Sequence, residues 1–137
     1  MKSNKAKYIG VYIVNERKEL LCHKRSNSLR NLAGIVFPPG GAVERRETEK
    51  QACIRETREE TGINISKYTI TEFYRRNELA CYYVLVKSNI PIPGPQRQHA
   101  WEMEADWGNV GNNTHCWISL SDIQRKKKYS KSTNRCY

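Results

Sequence analysis

The chain has 137 residues, which fits one domain with short tails, since domains usually run to about 100–200 residues. Hydrophobic residues make up 38% and charged residues 28%, a balance that argues against wholesale disorder, and no apolar run approaches the roughly 18–20 residues of a membrane-spanning helix. The net charge of +10 lies almost wholly at the ends: residues 1–7 and 124–137 carry nine lysines and arginines and no acid, leaving 15 basic and 14 acidic side chains in residues 8–123.

Residues 8–14 (Tyr-Ile-Gly-Val-Tyr-Ile-Val) are β-branched and aromatic and predict a strand. The turn-prone Asn15-Glu16-Arg17-Lys18 follows, and a second strand pattern spans 19–24, so the two read as a hairpin or adjacent pair. Residues 26–34 read as a polar loop. Ile35-Val36-Phe37 is a short apolar strand that stops at Pro38-Pro39-Gly40-Gly41, which reads as a tight glycine turn. From Thr48 to Thr61 there is neither Gly nor Pro; Thr48 is an N-cap candidate and Gly62 a stop, so this is the best helix in the chain. Strands are expected at 63–65, 69–75 and 80–87, the last the most apolar and central. Ile90-Pro91-Ile92-Pro93-Gly94-Pro95 breaks regular structure, and residues 96–115 read as a long loop of the kind that often carries function. A strand resumes at 116–120, and Ser121-Asp122-Ile123 opens a short helix before the tail.

The basic ends, 1–7 and 124–137, flank a single domain at 8–123. Such ends attract RNA, nucleotides or anionic lipid through a salt-screened field, or simply solubilise the chain. The segment after Met1 has no small-residue cleavage site, so it does not read as a signal peptide, and an intracellular protein, cytoplasmic or nuclear, is expected. Five scattered cysteines, Cys22, Cys53, Cys81, Cys116 and Cys136, fit reduced thiols in a reducing compartment. The local pairs Cys22-His23 and His115-Cys116 hold zinc-ligating residue types, but nothing in the sequence brings them together.

The chemistry concentrates on the expected helix. Glu56, Glu59 and Glu60 are spaced i, i+3, i+4 and so emerge on one face, close enough to share a cation. Three crowded carboxylates repel one another; Arg55, four residues before Glu59, offsets part of that, and a divalent metal would offset the rest. Hard oxygen ligands select Mg²⁺ or Mn²⁺ over zinc. The plain alternative is a solvated Glu/Arg-laced helix face. What weighs against it is the frame: Gly41-x5-Glu47-x7-Arg55-Glu56-Thr57-Arg58-Glu59-Glu60-Thr61-Gly62-Ile63.

That string resembles the Nudix box, G-x5-E-x7-R-E-U-x-E-E-x-G-U, with U a bulky aliphatic residue. All seven invariant positions match, and chance would produce such a match with a probability on the order of 10⁻⁸ per start site. The one departure is Thr57 at an aliphatic position. The flanks, Phe37-Pro38-Pro39-Gly40-Gly41 and Trp117 to Ile123, resemble those of a Nudix domain as well. The resemblance implies an α/β fold, a mixed β-sheet sandwiched between helices (an α/β/α sandwich). With only fourteen largely basic and polar residues after Ile123, the second main helix is expected to be short.

The resemblance further implies hydrolysis of a pyrophosphate linkage in a nucleoside diphosphate joined to another group, with Mg²⁺ or Mn²⁺. A metal neutralises phosphate oxygens and lowers the pKa of water, which is what substitution at phosphorus requires. By that resemblance Glu56, Glu59, Glu60 and the carbonyl of Gly41 hold metal, Glu47 holds the loop or an outer water, and Arg55 orients the glutamates. The general base is Glu56 or Glu59, with Glu104 as an outside candidate. Lys24 and Arg25 end the second strand where related enzymes often place a phosphate-contacting cation. Trp101 and Trp107 are candidates for stacking on a base. The open substrate classes are nucleoside triphosphates, dinucleoside polyphosphates, capped RNA and diphosphoinositol polyphosphates. The second class of reading is a catalytically weak Nudix-like module binding RNA or nucleotide, which the intact set of three glutamates disfavours. Oligomeric state is not legible.

Overall fold

In a computed structural model of the chain, the residues described are 5–24, 36–94, 96 and 115–123. Arg25, the 26–34 loop, Trp101, Glu104, Trp107 and the C-terminal tail lie outside them.

A mixed sheet is built around β1 (Tyr8–Asn15), whose alternating pattern turns Ile9, Val11 and Ile13 into the core. Along its whole length β1 runs parallel to β6 (Leu79–Val86), and β6 pairs antiparallel with the edge strand β5 (Thr71–Arg76). On its other side β1 meets β2 (Glu19–Lys24) only beside their connecting turn, at Val14 and Leu20. The two strands then part. The gap is filled by β3 (Val36–Phe37), which pairs with the end of β2, and β4 (Gly40–Ala42), which pairs with the start of β1. β7 (His115–Ser119) lies antiparallel along the far side of β2.

The helix α1 (Glu49–Thr61) begins with a reciprocal cap: Thr48 Oγ1 accepts from the Gln51 N–H at 3.1 Å, and Gln51 Oε1 accepts from the Thr48 N–H at 2.8 Å. It ends at Gly62, whose φ of 79° is the left-handed conformation a side chain resists; a Cβ there would also meet Pro93 at 2.8 Å. The face carrying Ala52, Cys53, Glu56, Thr57, Glu60 and Thr61 is buried. Beneath the helix lies one cluster that includes Ile9, Val11, Ile13, Leu21, Ala80, Tyr82 and Val84. On the opposite face Leu20 and Cys22 pack with Tyr12, Val14, Ile118 and Ile123, the last on a helical turn at 120–123. None of the helices in the described residues is long and apolar enough to cross a membrane.

Several expectations shift. Gly40 and Gly41 form a strand and not a turn: the open sheet between β1 and β2 supplies pairing partners that glycine's local preferences do not reveal. Residues 63–65 are irregular chain in which Ile63 and Ile65 are buried and Asn64 is exposed, so the two isoleucines serve the core without strand pairing. β5 begins two residues later than the pattern suggests, and β7 begins one residue earlier, at His115. β6 lies inside the sheet, but β1 holds the centre. Lys5, Ala6 and Lys7, grouped by charge with the N-terminal tail, are pinned to the body: Ala6 is buried, its N–H donates to Glu49 at 2.7 Å, and the Lys7 carbonyl accepts from Val43 N–H at 2.8 Å.

Candidate active site

The loop between β4 and α1 is held from both sides. Lys5 Nζ donates to the carbonyls of Arg45 and Glu47 at 3.0 Å each and of Glu44 at 3.5 Å. From the helix, Arg55 forks onto Glu47, with Nε to Oε2 at 2.6 Å and Nη2 to Oε1 at 2.8 Å, and Nη2 also donates to the Ala42 carbonyl at 2.9 Å. Glu47 Oε1 in turn accepts from the Glu44 N–H at 2.9 Å. The Arg55 hydrogen bond holds the Glu47 carboxyl below its ordinary value, and Glu47 raises Arg55 further above an already high one. One guanidinium thus fastens a loop eight residues earlier in the chain to the side of the helix.

The same guanidinium reaches forward along the helix. Arg55 Nη1 donates to Glu56 Oε2 at 3.1 Å and to Glu59 Oε1 at 3.5 Å, and Glu44 Oε2 stands 3.9 Å away. Glu56 and Glu60 are only 5% and 6% exposed, whereas the Glu59 side chain is 29% exposed. Gly41 explains how Glu56 fits: a Cβ at position 41 would stand 2.6 Å from the Glu56 carboxyl carbon, so the carboxylate occupies the space a side chain would need. Four carboxylates within 4 Å of a single guanidinium leave an excess of negative oxygen donors. A hard divalent cation suits such a donor set. In this conformation no group of three His, Cys, Asp or Glu side chains among the described residues is drawn together as a finished metal cage.

The last turn of α1 is closed from outside the helix. The Arg58 carbonyl accepts from the Gly62 N–H at 2.9 Å, that of Glu59 from the Gln96 N–H at 2.7 Å, and that of Thr61 from the Gly94 N–H at 2.9 Å. The His115 imidazole bonds to the Glu60 carbonyl; burial lowers its pKa, outweighing that bond. All four terminal carbonyls of the helix therefore have partners.

Of the residues singled out from sequence, Gly41, Glu47, Arg55, Glu56 and Glu59 form one connected arrangement, and Glu60 is buried on the same helix. The backbone of Lys24 ends β2 beside Val36. Along the backbone, β2 and β7 set Cys22 opposite Cys116 and His23 opposite His115. Sequence reasoning missed Lys5 and Glu44 and singled out His115 only as a zinc-ligating type; the roles of all three come from tertiary contact. It also missed Glu49, which accepts from Ala6 N–H, from Arg75 Nη1 at 3.1 Å and Nη2 at 2.5 Å, and from the Tyr82 hydroxyl at 2.5 Å. Burial alone would raise the Glu49 pKa; these bonds outweigh it and hold the carboxyl at about 2.

The chain matches the NUDIX domain family over residues 4–135, and it belongs to that family. It is 40% identical over 58 residues to the m7GpppN-mRNA hydrolase NUDT17 of Danio rerio, covering 42% of this chain and 19% of that protein. It is 51% identical over 39 residues to the asymmetrical bis(5'-nucleosyl)-tetraphosphatase of Mus musculus, covering 28% of this chain and 26% of that one. These matches thus span about a fifth to a quarter of the relatives' length. In fold it is similar to an Ap4A hydrolase of C. elegans solved as a binary complex, with a TM-score of 0.58 at 22% identity, covering 92% of this chain and 89% of that one.

Proposed function

We propose that this Nudix domain is a divalent-metal-dependent pyrophosphohydrolase whose substrates are two nucleosides bridged 5' to 5' by a polyphosphate, either free or at the end of an RNA. The observation that carries the reading is the connected box: Arg55 binds Glu47, the Ala42 carbonyl, Glu56 and Glu59 at once, while Glu56 fills the space left by Gly41. The substrate class is supported by the names of the Danio rerio and Mus musculus relatives, an m7GpppN-mRNA hydrolase and a bis(5'-nucleosyl)-tetraphosphatase.

In this reading Glu56, Glu59, Glu60 and the Gly41 carbonyl hold the cation, and their hard oxygens suit Mg²⁺ or Mn²⁺. Bound there, it supplies positive charge to the bridging and non-bridging phosphate oxygens. Arg55 keeps Glu56 and Glu59 in place against their mutual repulsion, and Glu47 fixes Arg55 from the other side. Glu59, more open than Glu56 or Glu60, accepts the proton of the attacking water.

The test is product release with Mg²⁺ and separately with Mn²⁺ across nucleoside triphosphates, oxidised dGTP, diadenosine polyphosphates, capped RNA and diphosphoinositol pentakisphosphate, beside a Glu59→Gln control. Turnover of diadenosine polyphosphates or capped RNA, abolished in the control, is the expected result. Preference for the triphosphates or the inositol compound would overturn the substrate class, and silence across the panel would overturn the hydrolase.

A further inference from the structure

Antiparallel pairing of β2 with β7 sets Cys22 directly opposite Cys116. Opposed residues in such a ladder have Cα atoms about 4.5–5.5 Å apart. A disulfide spans Cα separations of about 4.4–6.8 Å, so either kind of opposed position falls inside the window. The two side chains also share a face. Two residues along each strand, Leu20 stands opposite Ile118, and both belong to the cluster that contains Cys22. Cys22 is buried, with its thiol donating to the Leu20 carbonyl at 3.7 Å, whereas Cys116 is part exposed. No disulfide joins Cys22, Cys53, Cys81 or Cys116 in this structure.

We infer that Cys22 and Cys116 form a thiol–disulfide exchange site, which a low-molecular-weight disulfide converts to a reversible cross-strand bond between β2 and β7. The part-exposed Cys116 thiolate attacks one sulfur of the small disulfide, forming a mixed disulfide and releasing one small thiolate. The Cys22 thiolate then attacks the Cys116 sulfur and expels the second. The protein loses two electrons and two protons; the small disulfide gains both and leaves as two thiols. The division of labour follows burial, because only Cys116 is open to a dissolved reagent. Cys53 and Cys81 are the natural controls: Cys53 lies on α1, and Cys81 is paired with Gly10 and Tyr74, so neither has a cysteine opposite it in a strand ladder. The bond would join two strands distant in sequence and fix the end of β7 at which His115 meets the Glu60 carbonyl.

The experiment uses the full chain with the tail thiol removed as Cys136→Ser, exposed to oxidised glutathione and mapped by mass spectrometry of unreduced peptides. The expected product links Cys22 to Cys116, reverts with dithiothreitol, and raises Tm by about 5–15 °C, because closing a long loop constrains the unfolded chain. Cys22→Ser should arrest the reaction at a glutathione adduct on Cys116, and Cys116→Ser should give neither product. A stable Cys116 adduct without the linked peptide in the parent, linkage through Cys53 or Cys81, or no modification at all would each overturn the inference. Mapping of the parent decides the matter even where a variant fails to fold.

Discussion

Replacing Gly41 with alanine tests the reading of the box most directly. The new Cβ would stand 2.6 Å from the Glu56 carboxyl carbon and closer still to its Oε2, against an ordinary contact of at least 3.4 Å, so one partner must retreat by about 1 Å. The backbone of β4 is held against β1, with Gly40, Gly41 and Ala42 paired to Gly10, Ile9 and Tyr8, whereas the Glu56 carboxylate is the end of a flexible side chain. The carboxylate therefore moves, and its 3.1 Å bond to Arg55 Nη1 lengthens or breaks. A misplacement of about 1 Å at a reacting centre costs on the order of 10²-fold in rate, and forced overpacking about 1–3 kcal/mol in stability. The expected result is a kcat lowered about a hundredfold in a protein that still melts cooperatively, measured on whichever substrate the hydrolysis panel identifies. Gly10→Ala is the matched control in the same region of sheet: its Cβ meets only ordinary contacts at 3.6 and 3.7 Å, so activity should be retained. A folded Gly41→Ala variant within about threefold of the parent would refute the argument that Glu56 must rest against position 41.

Thr57→Val should stabilise the protein by about 1–2 kcal/mol, because Thr57 Oγ1 is buried without a hydrogen-bond partner among the described residues and valine keeps the shape while removing the hydroxyl; an unchanged or lower urea midpoint would count against this. Glu49→Gln tests the pH dependence. A folded pKa of about 2 against an ordinary 4.5 means that the carboxylate's stabilisation, about 3 kcal/mol, is fully present above pH 4.5 and is lost as pH falls toward 2. The variant should therefore be less stable by about 2–3 kcal/mol at pH 7, and the gap to the parent should close in melts taken between pH 4.5 and 2. A gap that persists at pH 2 would assign the effect to packing.

Much of the box was legible because its information is local. Thr48 and Gly62 bound the helix through capping chemistry that operates over three or four residues, and the spacing of Glu56, Glu59 and Glu60 follows from helical geometry. What escaped was set by pairing at long range. Gly40 and Gly41 carry turn chemistry, and only the parting of β1 and β2 makes a strand of them. Ile63 and Ile65 satisfy the core by position, without the regular pairing that an apolar run suggests. The juxtaposition of Cys22 with Cys116, and of Lys5 with the carbonyls of the box loop, depends on which strand lies beside which, and no periodicity in the chain encodes that.

The two contacts that tie residues 94 and 96 to the end of α1 run entirely through peptide groups: Gly94 and Gln96 offer N–H, and Thr61 and Glu59 offer C=O. Such a tether is indifferent to side-chain identity except where proline would remove the donor and at Gly94, whose φ of 104° favours glycine. Evolution can therefore rewrite the chain between Gln96 and His115, or splice in a longer or shorter stretch, while these two ties to the carboxylate-bearing helix are inherited unchanged. An engineer seeking new ligand preferences has the same freedom, with a graft point at residue 97 that leaves both amide donors in place.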